Sequence, residues 1–225
     1  MGRIEEKFTV LKKEGKKAFI AYLTAGDPDL PTTMELLFAL ERSGVDIVEI
    51  GVPFSDPVAD GPTIQAASER ALKKRVALDG IFSMIAAFRK ESSMPVVLFG
   101  YYNPVLQYGL ERLARDAAQL GVNGFIIPDL PGEQAQAWRN AALKEGVATI
   151  FLAAPTSGPE RIRAIGQLTR GFLYYVSVTG ITGARTELPP ELIEALKEVR
   201  SLVKCPVAVG FGISTPEQVR QLAPY

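Results

Sequence analysis

Short β-branched or aromatic runs recur along this chain, and each is followed by a segment of helical periodicity. Seven such runs lie at 18–24, 47–51, 96–101, 124–128, 148–153, 172–176 and 207–210. Their spacing is close to the ~30 residues of a strand–helix–strand unit. This alternation constrains the fold more than any other feature, because it is the pattern of parallel strands covered by helices. Punctuation between the runs agrees. Pro31 stands near the start of the segment 30–43 with Gly44 just past its end, and the segment 132–145 stops at Gly146. Pro159 opens a helix to about Thr169, and Pro189 with Pro190 opens one to about Val203. A leading helix is expected over 4–14 and a last one over 215–222.

Seven regular units fit either an open doubly wound sheet or a (β/α)8 barrel one unit short. No linker or low-complexity stretch interrupts residues 1–225, so a single domain is expected. The last helix leads to Ala223-Pro224-Tyr225 with no eighth strand, whereas a complete barrel takes about 250 residues. The expected fold is therefore α/β, a TIM barrel with an extra N-terminal helix and without its eighth βα unit.

Composition narrows function mainly by exclusion. The 225 residues are 47% hydrophobic and 22% charged, enough to bury a sizeable core. Twenty-five basic side chains balance twenty-five acidic ones, so neither nucleic acid nor a membrane is an expected partner. The one basic cluster, Arg70, Lys73, Lys74 and Arg75, falls near an expected helix end and reads as a solvated face. No apolar run reaches the roughly 18 residues of a membrane span, and residues 1–17 are charged throughout, so a cytoplasmic location is expected. The chain has no histidine and one cysteine, Cys205. Zinc sites and histidine-based triads lose their usual groups, and an internal disulfide is impossible.

Chemistry in parallel α/β folds collects at the carboxyl ends of strands. None of the strand runs holds a lysine, which removes the nucleophile of a Schiff-base mechanism. Asp56 with Asp60 is the one dense all-oxygen metal candidate, but the favoured reading is metal-free, cofactor-free acid–base catalysis by carboxyl groups. Glu49 stands out because it lies inside the apolar run 45–52, where a carboxyl is expensive without a task. The alternative is a glutamate paired with a core amide or hydroxyl. Asp60 follows in a loop pinned by Pro53, Pro57 and Pro62, where it can face Glu49 across the mouth or cap the helix that starts near Pro62. Glycines at 180, 183, 210 and 212 can present backbone N–H groups to phosphate or simply shape turns. Tyr22, Tyr101, Tyr102 and Phe211 offer aromatic walls. Cys205 and Trp138 read as packing.

The strings Ala21-Tyr22-Leu23-Thr24-Ala25-Gly26-Asp27-Pro28 and Glu49-Ile50-Gly51-Val52-Pro53-Phe54-Ser55-Asp56-Pro57-Val58-Ala59-Asp60-Gly61-Pro62 resemble the tryptophan synthase α subunit family. Tyr101-Tyr102-Asn103-Pro104, Pro128-Asp129-Leu130-Pro131, Thr179-Gly180-Ile181-Thr182-Gly183 and Gly210-Phe211-Gly212-Ile213 continue the resemblance in order, over essentially the whole chain. It implies retro-aldol cleavage of indole-3-glycerol phosphate to indole and glyceraldehyde 3-phosphate, a lyase reaction of tryptophan biosynthesis. By position, Glu49 would be the acid–base group at the indole C3 carbon and Asp60 would serve the indole nitrogen. Tyr22, Ile64, Tyr102, Leu130 and Tyr174 would line the indole pocket, with Phe211 as a further substrate contact. Thr182 and Gly183 would belong to a loop that closes over substrate, and Gly183 and Gly212 would bind phosphate. The implied partner is a pyridoxal phosphate-dependent β subunit in an α2β2 heterotetramer, met by loops around residues 53–56 and after the sixth strand run; this subunit itself would need no cofactor. The other readings are a weakly active or inactive scaffold for the β subunit, owing to the missing unit, and a different sugar-phosphate barrel enzyme such as an isomerase.

Overall fold

The computed structural model describes residues 2–176, 191–210, 213 and 215–225. Along the first half run α1 (Arg3–Lys13), β1 (Ile20–Thr24), α2 (Leu30–Arg42), β2 (Ile47–Gly51), α3 (Pro62–Lys73), α4 (Leu78–Phe88), β3 (Val96–Phe99), α5 (Tyr102–Tyr108) and α6 (Leu110–Leu120). Then follow β4 (Gly124–Ile126), α7 (Gln136–Lys144), β5 (Ala148–Ile150), β6 (Leu152–Ala153), α8 (Pro159–Leu168), β7 (Leu173–Val176), α9 (Leu192–Leu202), β8 (Val207–Gly210) and α10 (Pro216–Leu222). Every strand pairing is parallel, in the orders β1-β2-β3-β4-β5 and β6-β7-β8.

Local chemistry explains the element starts. Asp29 caps α2 by accepting the Thr32 N–H at 2.8 Å, and Pro31 occupies the first turn. Before it, Gly26 takes a φ of +80° to turn the chain out of β1, and its N–H bonds Thr33 Oγ1 at 2.9 Å. Thr215 and Gln218 form a reciprocal capping box on α10.

Three expectations differ in detail. The strand expected over 148–153 breaks at Phe151 into β5 and β6, although pairing with the next strand continues: Thr149 and Phe151 carbonyls accept from Arg170 and Tyr174 N–H groups at 2.9 and 3.0 Å. The helix expected over 132–145 is a 3-10 turn, Gly132–Gln134, followed by α7, because Ala135 leaves the helical conformation. The second and third units carry two helices each where one was expected. Positive φ at Arg75 separates α3 from α4, and at Gly109 it separates α5 from α6. Pro189 and Pro190 lie outside the described residues; α9 begins at Leu192.

Two apolar layers decide between the open sheet and the barrel. One contains Val48, Ile50, Val96, Leu98, Phe125, Leu173 and Tyr175 together with residues of α2, α4, α6, α7, α8 and α9. The other gathers Ile47, Val97, Phe99, Ile126, Ile150, Phe172 and Tyr174, with Ile20, Tyr22, Leu152 and Ala208 against them. This second layer takes side chains from all eight strands or their first residues and from only one helix, α1. A doubly wound sheet would cover both faces with helices; here the inner face packs on itself, which requires the sheet to curl. Helix α1 stops the end where the strands begin: Ile4 is 1% exposed, and the Phe8 and Phe172 ring centroids are 5.9 Å apart. β2 and β3 are buried at every position, whereas β8 and the first four residues of β1 are half-buried.

Candidate active site

Glu49 points into the inner layer. Its register partners are Tyr22 on β1 and Val97 on β3, it is 5% exposed, and burial pushes its carboxyl up to about 8. Among the described residues it makes no hydrogen bond or ion pair, so the reading of a core-paired glutamate is not met. A buried carboxyl without a partner is neutral near pH 7 and holds a proton ready to give.

Around it stands an aromatic wall. Phe99 meets Tyr22 edge-on at 5.9 Å and Tyr174 at 6.4 Å. Both phenols are pushed up, chiefly by burial and further by the Glu49 charge. Each hydroxyl lies against a glycine: a Cβ on Gly51 would overlap the Tyr22 hydroxyl, and one on Gly210 would overlap that of Tyr174. Gly210 therefore has a steric reason to be glycine, since the volume of a side chain there is taken by Tyr174.

Asp60 arrives from the loop between β2 and α3. It is half-buried, and burial raises its carboxyl while the Tyr101 hydroxyl acts to lower it. Tyr101 also accepts the Ala59 N–H at 3.0 Å and stacks on Phe54 at 5.3 Å, which pins the loop. The helix-capping alternative fails here: the cap of α3 is Gly61, without a side-chain bond, and it is the Asp60 carbonyl, not the carboxyl, that meets α3, accepting from Gln65 Nε2 at 2.8 Å. Asp56 is exposed and bonded to Ser55 at 2.5 Å. No group of three or more Cys, Asp or Glu converges among the described residues.

Residues 8–225 match the family model described as tryptophan synthase alpha chain. The chain belongs to this family. Its members are lyases of tryptophan biosynthesis. The tryptophan synthase alpha chain of Geotalea uraniireducens is 49% identical over 223 residues, 99% of this chain and 84% of that one. A crystal structure of tryptophan synthase subunit alpha from Legionella pneumophila superposes with a TM-score of 0.91 at 40% identity, covering 99% of this chain and 84% of the other. The alpha chain of an a2b2 tryptophan synthase complex from Pyrococcus furiosus gives 0.87 at 42% identity, over 92% and 83%. These relatives share the TIM-barrel fold expected from the sequence.

Within this family member, Tyr22, Glu49 and Tyr174 are brought together in the inner layer, with Asp60 electrostatically coupled to Tyr22. Ile64 is half-buried on the first turn of α3, four residues past Asp60. Tyr102 and Leu130 sit beyond the ends of β3 and β4. Tyr102 opens α5, gives its N–H to Asp129 at 2.9 Å and packs on the outer layer, where Leu130 is also buried. The inner positions nearby belong to Phe99 and Ile126, and the phenol next to Asp60 is Tyr101. Strand alternation carries the signal that sequence reasoning passed over: Phe99 lies two residues after Val97, the Glu49 partner, and therefore on the same face. Thr182, Gly183, Phe211 and Gly212 lie outside the described residues. Arg70, expected as a solvated charge, makes two 2.7 Å bonds to Asp27. No helix among the described residues is long and apolar enough to cross a membrane.

Proposed function

We propose that this chain cleaves indole-3-glycerol phosphate to indole and glyceraldehyde 3-phosphate by a retro-aldol step with Glu49 and Asp60 as its proton-transfer groups. The observation that carries the proposal is the buried Glu49 carboxyl inside an aromatic wall, without a hydrogen-bond or ion-pair partner among the described residues and with burial favouring its neutral form. A carbon–carbon bond to an aromatic ring breaks readily only after the ring carbon is protonated. Glu49 gives its proton to indole C3. The cation that forms is spread toward the ring nitrogen, where the Asp60 carboxylate stabilises it; a proton that Asp60 takes from the N–H is returned to the nitrogen as indole forms. Glu49, now ionised, receives the glycerol hydroxyl proton as the carbon–carbon bond breaks, so the aldehyde leaves and Glu49 ends protonated. The step consumes no external acid, and it needs neither a metal nor a cofactor in this chain.

Tyr22, Phe99 and Tyr174 suit a flat ring, and Thr182, Gly183, Phe211 and Gly212 take the family roles of closing loop and phosphate contacts. A β subunit carrying pyridoxal phosphate is the proposed partner in an α2β2 assembly. Val58, at 84% exposure, supplies apolar surface beside the loop 53–56 for that contact. A diffusible phosphate ester as substrate fits a cytoplasmic enzyme. The test is indole release from indole-3-glycerol phosphate by the isolated chain and by Glu49→Gln. Release by the parent alone is the expected result; equal release by both removes Glu49 from the chemistry.

A further inference from the structure

Tyr101 makes more contacts with one loop than packing needs. It is 3% exposed, yet among the described residues it belongs to neither apolar layer. Its ring stacks on Phe54 at 5.3 Å with the planes 29° apart, which phenylalanine would do equally well. Its hydroxyl accepts the Ala59 N–H at 3.0 Å and bonds the Asp60 carboxyl. One side chain therefore grips residues 54, 59 and 60 of the loop between β2 and α3. A phenol has a single proton to donate. The Ala59 N–H occupies a lone pair of the phenol oxygen, so that proton remains for the carboxylate, which can only accept.

The backbone of Asp60 is already committed: its N–H bonds the Pro57 carbonyl at 3.0 Å, and its carbonyl accepts from Gln65 Nε2 at 2.8 Å. What stays open is the rotation of the side chain, and the Tyr101 hydroxyl meets that side chain directly. Tyr101 is itself held at the start of α5, where the next N–H, that of Tyr102, bonds Asp129 at 2.9 Å. The other titratable groups near the pair are Tyr22 on β1, which acts on Tyr101, and Glu49 on β2, which acts on Tyr22. Burial favours the neutral form of both, so Asp60 is the first of these groups to ionise as pH rises.

We propose that Tyr101 is a positioning residue: clamped by Phe54 and the Ala59 N–H, it donates its hydroxyl proton to the Asp60 carboxylate and fixes the direction in which that carboxylate faces the ring of a bound substrate. The proposal rests on the roles given above to Glu49 and Asp60. It joins the loop after β2 to the end of β3, so that the negative charge is in place before the ring cation forms.

The experiment follows indole release against pH for the full chain and for Tyr101→Phe, Phe54→Leu and Phe54→Tyr. Tyr101→Phe keeps the stacked ring and is expected to lower kcat about tenfold, the equivalent of one hydrogen bond to a charged group, with KM within about twofold. The acid limb of kcat/KM moves to higher pH, because Asp60 without the donor keeps its proton longer. Phe54→Leu, which frees the ring, moves the limb the same way by less, and Phe54→Tyr, which keeps the stack, brings it back toward the parent. A parent-like kcat and acid limb in Tyr101→Phe, or a raised KM with parent-like kcat, overturn the proposal whatever the melting temperature does. If Tyr101→Phe does not fold, identical acid limbs in the two Phe54 variants overturn it. A readout independent of turnover is the Asp60 carboxyl titration by 13C NMR, assigned with Asp60→Asn. An unmoved titration in Tyr101→Phe also overturns the proposal, whereas a titration moved to higher pH in a chain that releases no indole supports the positioning and overturns only the assigned reaction.

Discussion

The Tyr174 hydroxyl fills the space that a side chain on Gly210 would occupy, across the β7–β8 pair. Gly210 does not adopt positive φ, so its lack of a side chain answers a steric demand and not a backbone one. Gly210→Ala is expected to cost about 1–3 kcal/mol, the range for overpacking a fitted site. Shortening the partner by Tyr174→Leu in the same chain should recover a measurable part of that loss. Urea unfolding of both single variants and the double variant gives the coupling; strictly additive losses would contradict the proposed fit.

Glu49→Gln should abolish indole release, retain substrate binding and raise stability. The sign follows from linkage. The folded carboxyl titrates near 8, far above an unfolded glutamate, so between those values the folded state binds the extra proton and stability falls as pH rises. Glutamine removes that loss, by on the order of a few kcal/mol above pH 8. Melting temperatures of parent and variant should therefore converge in acid and diverge toward alkaline pH; parallel curves would refute the buried, raised carboxyl.

Turnover should be bell-shaped in pH. Activity needs Glu49 protonated, so the alkaline limb falls as pH passes about 8. It also needs Asp60 ionised, and because burial raises Asp60, the acid limb lies above the ordinary aspartate range. Indole release followed as kcat/KM, which reports the groups of the free enzyme, checks both limbs.

Asp60→Asn should reduce turnover strongly while leaving the melting temperature almost unchanged. The side chain caps no helix, since Gly61 holds that position, and the substitution keeps shape while removing the charge that faces the ring cation. A large fall in melting temperature with turnover intact would assign Asp60 to structure instead.

Much of the fold was readable from local order. Strands β2 and β8 coincide with the runs 47–51 and 207–210, because β-branched residues between turn formers leave few alternatives. Glu49 was readable for a related reason: a carboxyl inside an apolar run must be explained wherever the strand ends up. The paired helices after β2 and β3 were not readable, since each depends on one residue's backbone torsion, at Arg75 and Gly109, and neither was the break at Phe151.

The sequence by itself determined the parallel βα plan, the inward carboxyl at Glu49 and the absence of histidine chemistry. Only the tertiary structure decided that the strands curl around one inner layer, and which side chains near the strand ends join it. Tyr101 rather than Tyr102 reaches Asp60, and Ile126 rather than Leu130 enters the inner layer. The physical reason is that Tyr101, Tyr102 and Leu130 lie beyond the ends of β3 and β4, where strand alternation no longer fixes the face and packing between segments far apart in the chain decides it.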